Sequence, residues 1–391
     1  MPILERSLSD RITTLVKFLN PRSILKYIVY ERAKPLFDSA QRKLERKLDL
    51  FNVRRTIRHV SGPKRIKYRR DDIVVVCFVR DGSRYIDAFI HHYFSMGVKH
   101  IVLLDNGSVD DTVSRAQKYS NVTVLASPVL IAKKQYREVY LKQYLANRFC
   151  KNRWCLCVDI DELFDYPFSN IISLKQFIQY LNTYSYTAVV TQMLDMFSHL
   201  PVNALTDRFS PDAYAFYDVS NIVKEDYFNS RFGDDSERKN TQSNSRIKFY
   251  THGIRHSIFG TVNYLTKHQL FLVKGVRISH PHWIINARCA DISAVLFHYK
   301  FVGNFLETAD KYIRENYSVP AEYLAIVSEC AKKPDLSLKL DTSKKLKSVN
   351  DLIDNGFLVV SDQYLKWVRT IQPVPATATE NNFTLIPSKN V

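Results

Sequence analysis

Three carboxylates crowd into four residues at the end of an apolar run, and this is the stretch of the chain best suited to chemistry. The run covers residues 154–158, and Asp159, Asp161 and Glu162 follow it directly. Side chains alternate along a strand, so Asp159 and Asp161 are expected on one side, about 6–7 Å apart. Acids this close repel one another unless a cation or strong hydrogen-bond donors compensate. The pattern predicts a divalent-cation site, with the acidic first turn of a helix as the alternative.

Two further acids follow earlier apolar runs. Asp81 comes shortly after the run 73–79, and Asp105 follows the run 100–104. Because the carboxyl ends of parallel strands meet at one edge of a sheet, these acids and the 159–162 cluster are expected to converge. An anionic substrate would tolerate so many acids only with a metal. A nucleoside diphosphate with Mg²⁺ or Mn²⁺ fits, because the metal bridges carboxylate and phosphate oxygens.

The elements that must position these acids alternate between strand and helix. Apolar runs predict strands at 73–79, 100–104, 122–125, 154–158 and 186–193. Helical patterns fall at 85–96, near 110, and at 134–148 and 173–181. This alternation implies right-handed βαβ crossovers and therefore an α/β fold with a mainly parallel sheet. Shorter strands are predicted at 247–249, 258–262 and 271–276, and helices at 305–316, 321–331 and 348–355.

The positive charge is concentrated at the N-terminus. Residues 1–70 hold nineteen Lys or Arg against six Asp or Glu, which leaves only +4 of the net +17 for the other 321 residues. Within this arm an apolar stripe, which includes Leu44, Leu48 and Phe51, runs between Arg42, Lys43, Arg46 and Lys47. Such a basic amphipathic helix suits an anionic membrane surface. It would equally suit packing on the chain's own body or on a second subunit, which leaves oligomer formation open.

Other partners and compartments are less favoured. No binding motif or glycine-rich RNA signature accompanies the basic charge, so nucleic acid is not expected as a partner. No apolar run approaches the roughly 20 residues of a membrane-spanning helix, and the N-terminus lacks the layout of a secretory signal. Six cysteines without metal-binding spacing predict reduced, buried thiols. We therefore expect a cytoplasmic protein, peripheral at the inner membrane face if the arm binds lipid.

Taken together, the ordered motifs resemble a known family. The segment from Val79-Arg-Asp-Gly through Asp105-Asn-Gly-Ser-Val-Asp-Asp-Thr112 and then Val158-Asp-Ile-Asp-Glu-Leu163 resembles the nucleotide-binding half of a family 2-like glycosyltransferase. These enzymes have the GT-A fold and an Asp-x-Asp (DXD) motif. Further similar pieces are His91-His92, Gly253-Ile-Arg255, Phe259-Gly260, Lys267, His298-Tyr-Lys-Phe301 and Ala321-Glu-Tyr323. The resemblance covers roughly residues 72–360 and not the basic arm or the tail.

The resemblance implies roles for individual residues. Asp81 and Asp105 would contact the base and ribose of a nucleotide-sugar, although relatives often have Asn-Glu where this chain has Asp81-Gly82. Asp159 and Asp161 would hold the ribose and the metal–diphosphate unit. His298 resembles a late histidine that serves as a further metal ligand, with a satisfied core histidine as the alternative. Arg255 and Lys267 are the predicted diphosphate contacts, with ordinary surface charges as the alternative for both.

The residues that would act on the acceptor are the least defined part of this interpretation. Relatives invert the anomeric configuration, which requires a carboxylate to deprotonate the acceptor hydroxyl. Asp195, at the end of the strand after the metal motif, is our hypothesis for this base, with Glu225 and Asp226 as rivals.

The overall expectation is a metal-dependent glycosyltransferase, using Mn²⁺ or Mg²⁺, that acts on a glycan or lipid-linked acceptor in cell-surface polysaccharide biosynthesis. The alternatives are a metal-dependent nucleotidyltransferase and a non-enzymatic membrane-binding or scaffold protein. The expected organisation is a basic helical arm at 1–70, a GT-A catalytic domain at 71–315, a helical extension at 316–369 and a disordered tail at 370–391.

Overall fold

The computed structural model describes residues 44–129, 134–228, 239–315 and 320–371. It divides the chain into two compact units, Met1–Thr56 and Ile57–Val391. The part of the predicted helical arm before residue 44 and the predicted tail beyond residue 371 lie outside the described residues. So do most of the polar residues 234–239, whose sequence predicts a mobile excursion. None of the helices within the described ranges is long and apolar enough to cross a membrane.

The strands, in chain order, are β1 (Arg58–Ser61), β2 (Ile73–Val79), β3 (His100–Asp105), β4 (Val122–Ala126), β5 (Trp154–Asp159), β6 (Glu162–Asp165), β7 (Ala188–Asp195), β8 (Phe216–Tyr217), β9 (Ile222–Glu225), β10 (Thr241–Gln242), β11 (Phe249–His252), β12 (Thr266–Leu272), β13 (Arg277–Ile278), β14 (Ile284–Ile285), β15 (Arg288–His298) and β16 (Lys344–Lys345).

The helices are α1 (residues 44–56), α2 (Ile86–Ser95), α3 (Thr112–Ala116), α4 (Gln135–Phe149), α5 (Leu174–Thr183), α6 (Ile254–Phe259), α7 (Phe305–Arg314), α8 (Pro320–Lys332), α9 (Asp351–Asp354) and α10 (Asp362–Ile371). Single 3₁₀ turns lie at Val202–Ala204 and Pro211–Tyr214.

One large sheet organises the second unit. Its strand order is β1-β4-β3-β2-β5-β12-β7-β15-β10, and β6 pairs with β15 off this path. Strands β4, β3, β2 and β5 form one parallel block, and β7, β15 and β10 form another. Strand β12 runs antiparallel between the two blocks. The predicted α/β fold with a mainly parallel central sheet flanked by helices is confirmed.

The sequence explains why these strands lie inside. Strands β3 and β7 are buried at every position and β2 at all but one, as expected of near-continuous apolar runs in a sheet covered by helices. Helix α5 begins where a capping box allows it. The Ser173 side chain accepts from the Gln176 backbone N–H, and Gln176 reaches back to the Ser173 N–H.

Several sequence-based expectations differ from the structure. Of residues 271–276, predicted as a strand, only the first two lie in a strand, at the end of β12. Residues 258–262, predicted as a strand, instead contain the end of α6, which Gly253 and Gly260 bracket with positive φ. The eleven-residue strand β15 and the helix α10 were not predicted. Asp291 breaks the apolar pattern of β15, and the predicted tail begins inside α10.

The division between the two units also falls elsewhere than the predicted arm boundary at residue 70. Strand β1 pairs with β4 and so belongs to the central sheet. Gly62, just after β1, approaches β4 so closely that a Cβ there would lie 2.0 Å from the Val122 carbonyl oxygen. Only glycine allows this approach. Likewise, residues of α9 and α10 such as Leu352 and Tyr364 belong to the main hydrophobic core rather than to a separate extension.

A buried carboxylate ties α10 to the sheet. Asp291 of β15 is 6% exposed. It accepts hydrogen bonds from the Tyr180 hydroxyl at 2.7 and 2.9 Å and from the Ser361 hydroxyl. The Gln363 side-chain amide is 3.5 Å away. The cluster links β15 to α5 and to the segment that begins α10.

Replacing Asp291 by Ala is expected to lower the free energy of unfolding by about 3 kcal/mol, because the buried Tyr180 hydroxyl and the half-buried Ser361 hydroxyl lose their carboxylate acceptor. Urea denaturation followed by circular dichroism measures the change. The exposed Asp335→Ala should stay within about 0.5 kcal/mol of wild type. Equal losses in the two variants would show that the buried cluster contributes nothing specific.

Protonation of His100 gives a pH test of the packing between β3 and β4. His100 on β3 is buried, and its Nε2 lies 2.8 Å from the Thr123 hydroxyl of β4. Burial and, to a smaller extent, Lys99 lower the pKa of His100 to about 4. The unfolded chain therefore takes up this proton first, and the free energy of unfolding should fall by roughly 1–2 kcal/mol between about pH 6.5 and 4. His100→Gln should flatten this pH dependence in urea titrations, whereas the exposed His199→Gln should keep it. A wild-type slope in His100→Gln would rule out His100 as its source.

Candidate functional site

The register of the sheet brings the acids and His298 to one edge. His298, the last residue of β15, lies opposite Asp195 of β7 and opposite Glu162 of β6. Across the other parallel block, Phe78 of β2 pairs with Asp159, and Val79 of β2 pairs with Asp105. The carboxyl ends of β3, β2, β5, β7 and β15 therefore carry the polar residues, which is where open α/β sheets bind ligands.

His298 lies between two carboxylates. Its Nδ1 is 2.5 Å from Asp195 Oδ1, and its Nε2 is 3.4 Å from Asp161 Oδ2. Burial alone would lower the pKa of His298, but the carboxylates of Asp161 and Asp195 raise it to about 9. Burial likewise opposes ionisation of both acids, yet His298 and, for Asp195, the Arg255 guanidinium hold their pKa values below the usual range. The three side chains form one charge-paired group, of which Asp161 is the most exposed.

Arg255 extends this group toward α8. From α6, its Nε donates to Asp195 Oδ2 at 2.8 Å and its Nη1 to Glu322 Oε1 at 3.1 Å. Lys300 forms a second ion pair with Glu322 at 3.1 Å. Arg255 is 4% exposed, so the residue predicted to contact the diphosphate lies enclosed between two carboxylates. Its Nη2 is buried and has no hydrogen-bond partner among the residues that the structure describes.

Two buried lysines face Asp159. Lys142 Nζ of α4 is 3.2 Å from Asp159 Oδ1, and Lys267 Nζ of β12 is 3.7 Å from Asp159 Oδ2. Lys267 also pairs with the fully buried Glu162, whose other oxygen accepts the Asp159 backbone N–H at 3.0 Å. Burial would raise the pKa of Asp159, but the two ammonium groups hold it well below its usual range. The strand-end acids are thus compensated by cations of the chain itself, and Lys267 lies beneath Asp159 rather than on the open surface.

The spacing of Asp161 and His298 is compatible with two ligands of one divalent cation, which would require His298 to release the proton that the two carboxylates stabilise. The 3.4 Å separation of Asp161 and His298 suits two ligands of one cation, which lie roughly 3.0–3.5 Å apart when each bond is about 2.1 Å. Asp195 holds the other ring nitrogen, which is how a metal-binding histidine is commonly oriented. Asp159 does not fit as a third ligand in this arrangement, because ammonium groups face both of its oxygens. Within the described residues no three His, Cys, Asp or Glu side chains are placed to hold a metal.

Asp81 and Asp105 brace the loops that follow β2 and β3. Asp105 is buried, and its carboxylate accepts the backbone N–H groups of Gly107 at 3.2 Å and Ser108 at 3.1 Å. Asp81 has a φ of 53°. Its carboxylate accepts the Val109 N–H at 2.8 Å and pairs with Lys311 of α7. Both predicted base-and-ribose residues therefore lie at the expected edge, already engaged by their own chain.

Several functional neighbours were missed from the sequence. Lys142, which follows the apolar Leu141, lies on the inner face of α4. The feature of the sequence that could have indicated its role is its i, i+4 spacing from Glu138, with which it forms an ion pair at 2.7 Å. Lys311 carried no pattern of its own. Lys300 and Glu322 were part of quoted motifs, but their pairing with each other and with Arg255 depends on how α8 packs.

Lys142→Met is expected to lower the free energy of unfolding by about 2 kcal/mol, since it leaves Asp159 and Glu138 without one buried cation. The loss should stay below that of a fully enclosed pair because both acids are partly exposed. Chemical denaturation measures it, with the exposed Lys118→Met as the matched control. Indistinguishable stabilities of the two variants would contradict a compensating role for Lys142.

Comparisons with known proteins leave the family open. No family model and no curated protein matches the chain. One similar solved structure is a CTP:phosphocholine cytidylyltransferase from Streptococcus pneumoniae, with 11% identity over 73% of this chain and 98% of that chain and a TM-score of 0.24. Another is a UDP-glucose pyrophosphorylase complexed with UDP-glucose, with 7% identity over 75% of this chain and 98% of that chain and a TM-score of 0.21. Similarity this low carries no argument about function, and the resemblance to family 2-like glycosyltransferases rests on the sequence motifs.

Proposed function

We propose that this chain is a glycosyltransferase that moves a sugar from a nucleotide-sugar to a hydroxyl of a glycan or lipid-linked acceptor, in the assembly of a cell-surface polysaccharide. The observation that carries the proposal is the approach of Asp161 to His298, 3.4 Å apart, with Asp195 behind the ring. It occurs beside Asp159 at the carboxyl edge of the sheet. The ordered sequence motifs supply the choice of reaction.

In this proposal Asp161 and His298 would hold Mn²⁺ or Mg²⁺, which supplies positive charge for the departing diphosphate. Asp159 accepts hydrogen bonds from the ribose, and Lys142 and Lys267 keep its carboxylate ionised and oriented. Asp105 and Asp81 lie on the side of the base. A nucleoside that reaches Asp81 must compete with Lys311, which now pairs with that carboxylate.

Asp195 has two alternative roles. The sequence-based hypothesis makes it the base that deprotonates the acceptor. In the structure it is 4% exposed, and its two oxygens are engaged by His298 and Arg255, an arrangement that favours a positioning role. A positioning Asp195 would fix the orientation of His298 and raise its basicity as a ligand.

The proposal is tested by thermal shift with a panel of UDP- and GDP-sugars, with and without Mn²⁺. At 100-fold excess over Kd, a true donor should add about 2.7 kcal/mol to the free energy of unfolding. His298→Ala should weaken the Mn²⁺-dependent part at least tenfold, whereas the exposed His256→Ala should leave it unchanged. Absence of stabilisation by every nucleotide-sugar would favour a scaffold and contradict the proposal.

Asp195→Asn distinguishes the two roles of that residue. A positioning role predicts a 10–100-fold loss of Mn²⁺ affinity together with lost turnover. A base predicts lost turnover with unchanged Mn²⁺ and donor affinity. Isothermal titration gives the affinities and a product assay gives kcat; unchanged turnover would exclude both roles.

The product assay also distinguishes a glycosyltransferase from the alternative enzyme, a nucleotidyltransferase. A nucleotidyltransferase would join a nucleoside triphosphate to a sugar phosphate and release pyrophosphate. A glycosyltransferase instead releases a nucleoside diphosphate from the nucleotide-sugar. Pyrophosphate release that depends on Asp161, without donor cleavage, would replace the proposed reaction.

A further inference from the structure

Helix α1 presents an apolar stripe to solvent. Leu44, Leu48 and Phe51 are 58%, 53% and 55% exposed. At about 100° per residue, Leu48 and Phe51 lie within about 40° of Leu44, so the three share one face. Val53, about 180° from Leu44, is 3% exposed. The helix therefore has one covered side and one open apolar side.

Positive charge gathers on the open side. Arg55 lies at about 20° from Leu44, inside the stripe, and its guanidinium is 5.5 Å from the centre of the Phe51 ring. Lys47 and Arg54 lie at about 60° and 80° on one flank. The two acids of the helix, Glu45 and Asp49, lie at about 100° and 140° on the opposite flank. Three of the four cations of the helix thus lie in or beside the apolar face, with Arg46 on the far side, and Glu45 is the acid that borders the other edge of the face.

This distribution selects one kind of partner. Three large apolar side chains on one exposed face are what an interfacial helix inserts at the boundary of headgroups and acyl chains, and cations beside them contact lipid phosphates. A protein partner would need an acidic surface shaped to a single narrow stripe. A bilayer needs only negative charge.

We propose that α1 lies flat on an anionic lipid bilayer, with Leu44, Leu48 and Phe51 inserted and Lys47, Arg54 and Arg55 at the level of the lipid phosphates. This binding is independent of the proposed transfer reaction, and each can fail without the other. The positive balance of residues 1–70, nineteen Lys or Arg against six Asp or Glu, has the sign that this binding requires.

The test is co-sedimentation of the full chain with vesicles of phosphatidylcholine alone or with added phosphatidylserine. We expect binding only with phosphatidylserine, and a decrease when NaCl is raised, because exposed charges are screened. Leu44→Ser/Leu48→Ser/Phe51→Ser and Lys47→Gln/Arg54→Gln/Arg55→Gln should each weaken binding at least tenfold. Val60→Ser/Val262→Ser/Leu324→Ser, which removes three exposed apolar residues of the second unit, should bind like wild type.

The remaining outcomes overturn the proposal. Equal binding to neutral and anionic vesicles, or no binding, removes the electrostatic part that defines it. Equal loss in the control triple variant would show that any exposed apolar residue serves. Sedimentation equilibrium without lipid tests whether the stripe instead binds a second copy of the chain. If wild type is a dimer and the α1 apolar variant a monomer, the stripe is a subunit interface. The wild-type salt dependence decides the electrostatic question even if a variant folds poorly.

Discussion

The structure depends on compensating carboxylates at the buried end of a sheet. Burying an ionised acid costs several kcal/mol unless a partner or a cation offsets it, and four acids, Asp159, Asp161, Glu162 and Asp195, meet here. The cations that pair with them belong to α4, β12, β15 and α6. These ion pairs also join the two parallel blocks of the sheet, so the site and the fold share one set of interactions.

The fold was largely predictable because its main strands are marked by continuous apolar runs in the local sequence. The runs that became β2, β3 and β5 are uninterrupted apolar stretches ending in acids, and alternation with helices implies a parallel sheet. Strand β15 was not predicted because Asp291 interrupts its apolar pattern. A buried carboxylate is stable at this position because the Tyr180 and Ser361 hydroxyls donate hydrogen bonds to it. Such a partnership joins residues 111 positions apart, which no local pattern records.

The acids of the candidate site were predictable, but its cations were predictable only in part, because Lys267 and His298 were named from the sequence and Lys142 was not. Clustered acids at strand ends have a spacing to recognise, whereas Lys142 looks like one more charge on a helix until α4 packs against the sheet. Arg255 shows the opposite error. It was expected to contact a ligand, and the packing of α6 and α8 encloses it between Asp195 and Glu322. Residue types and spacing indicated the chemistry of these side chains, and the packing of the helices determined which residues they pair with.

The long sequence separations in the charge network have a consequence for synthesis of the chain. The acids at 159–162 leave the ribosome well before two of their partners, since Lys267 follows Glu162 by 105 residues and His298, the partner of Asp161, follows later still. At about 5–20 residues per second, the acidic strand end waits several seconds or longer without these two cations. Glu322, which pairs with Arg255, is translated last. Translation therefore delivers the first parallel block early and completes the charge network only when α8 emerges.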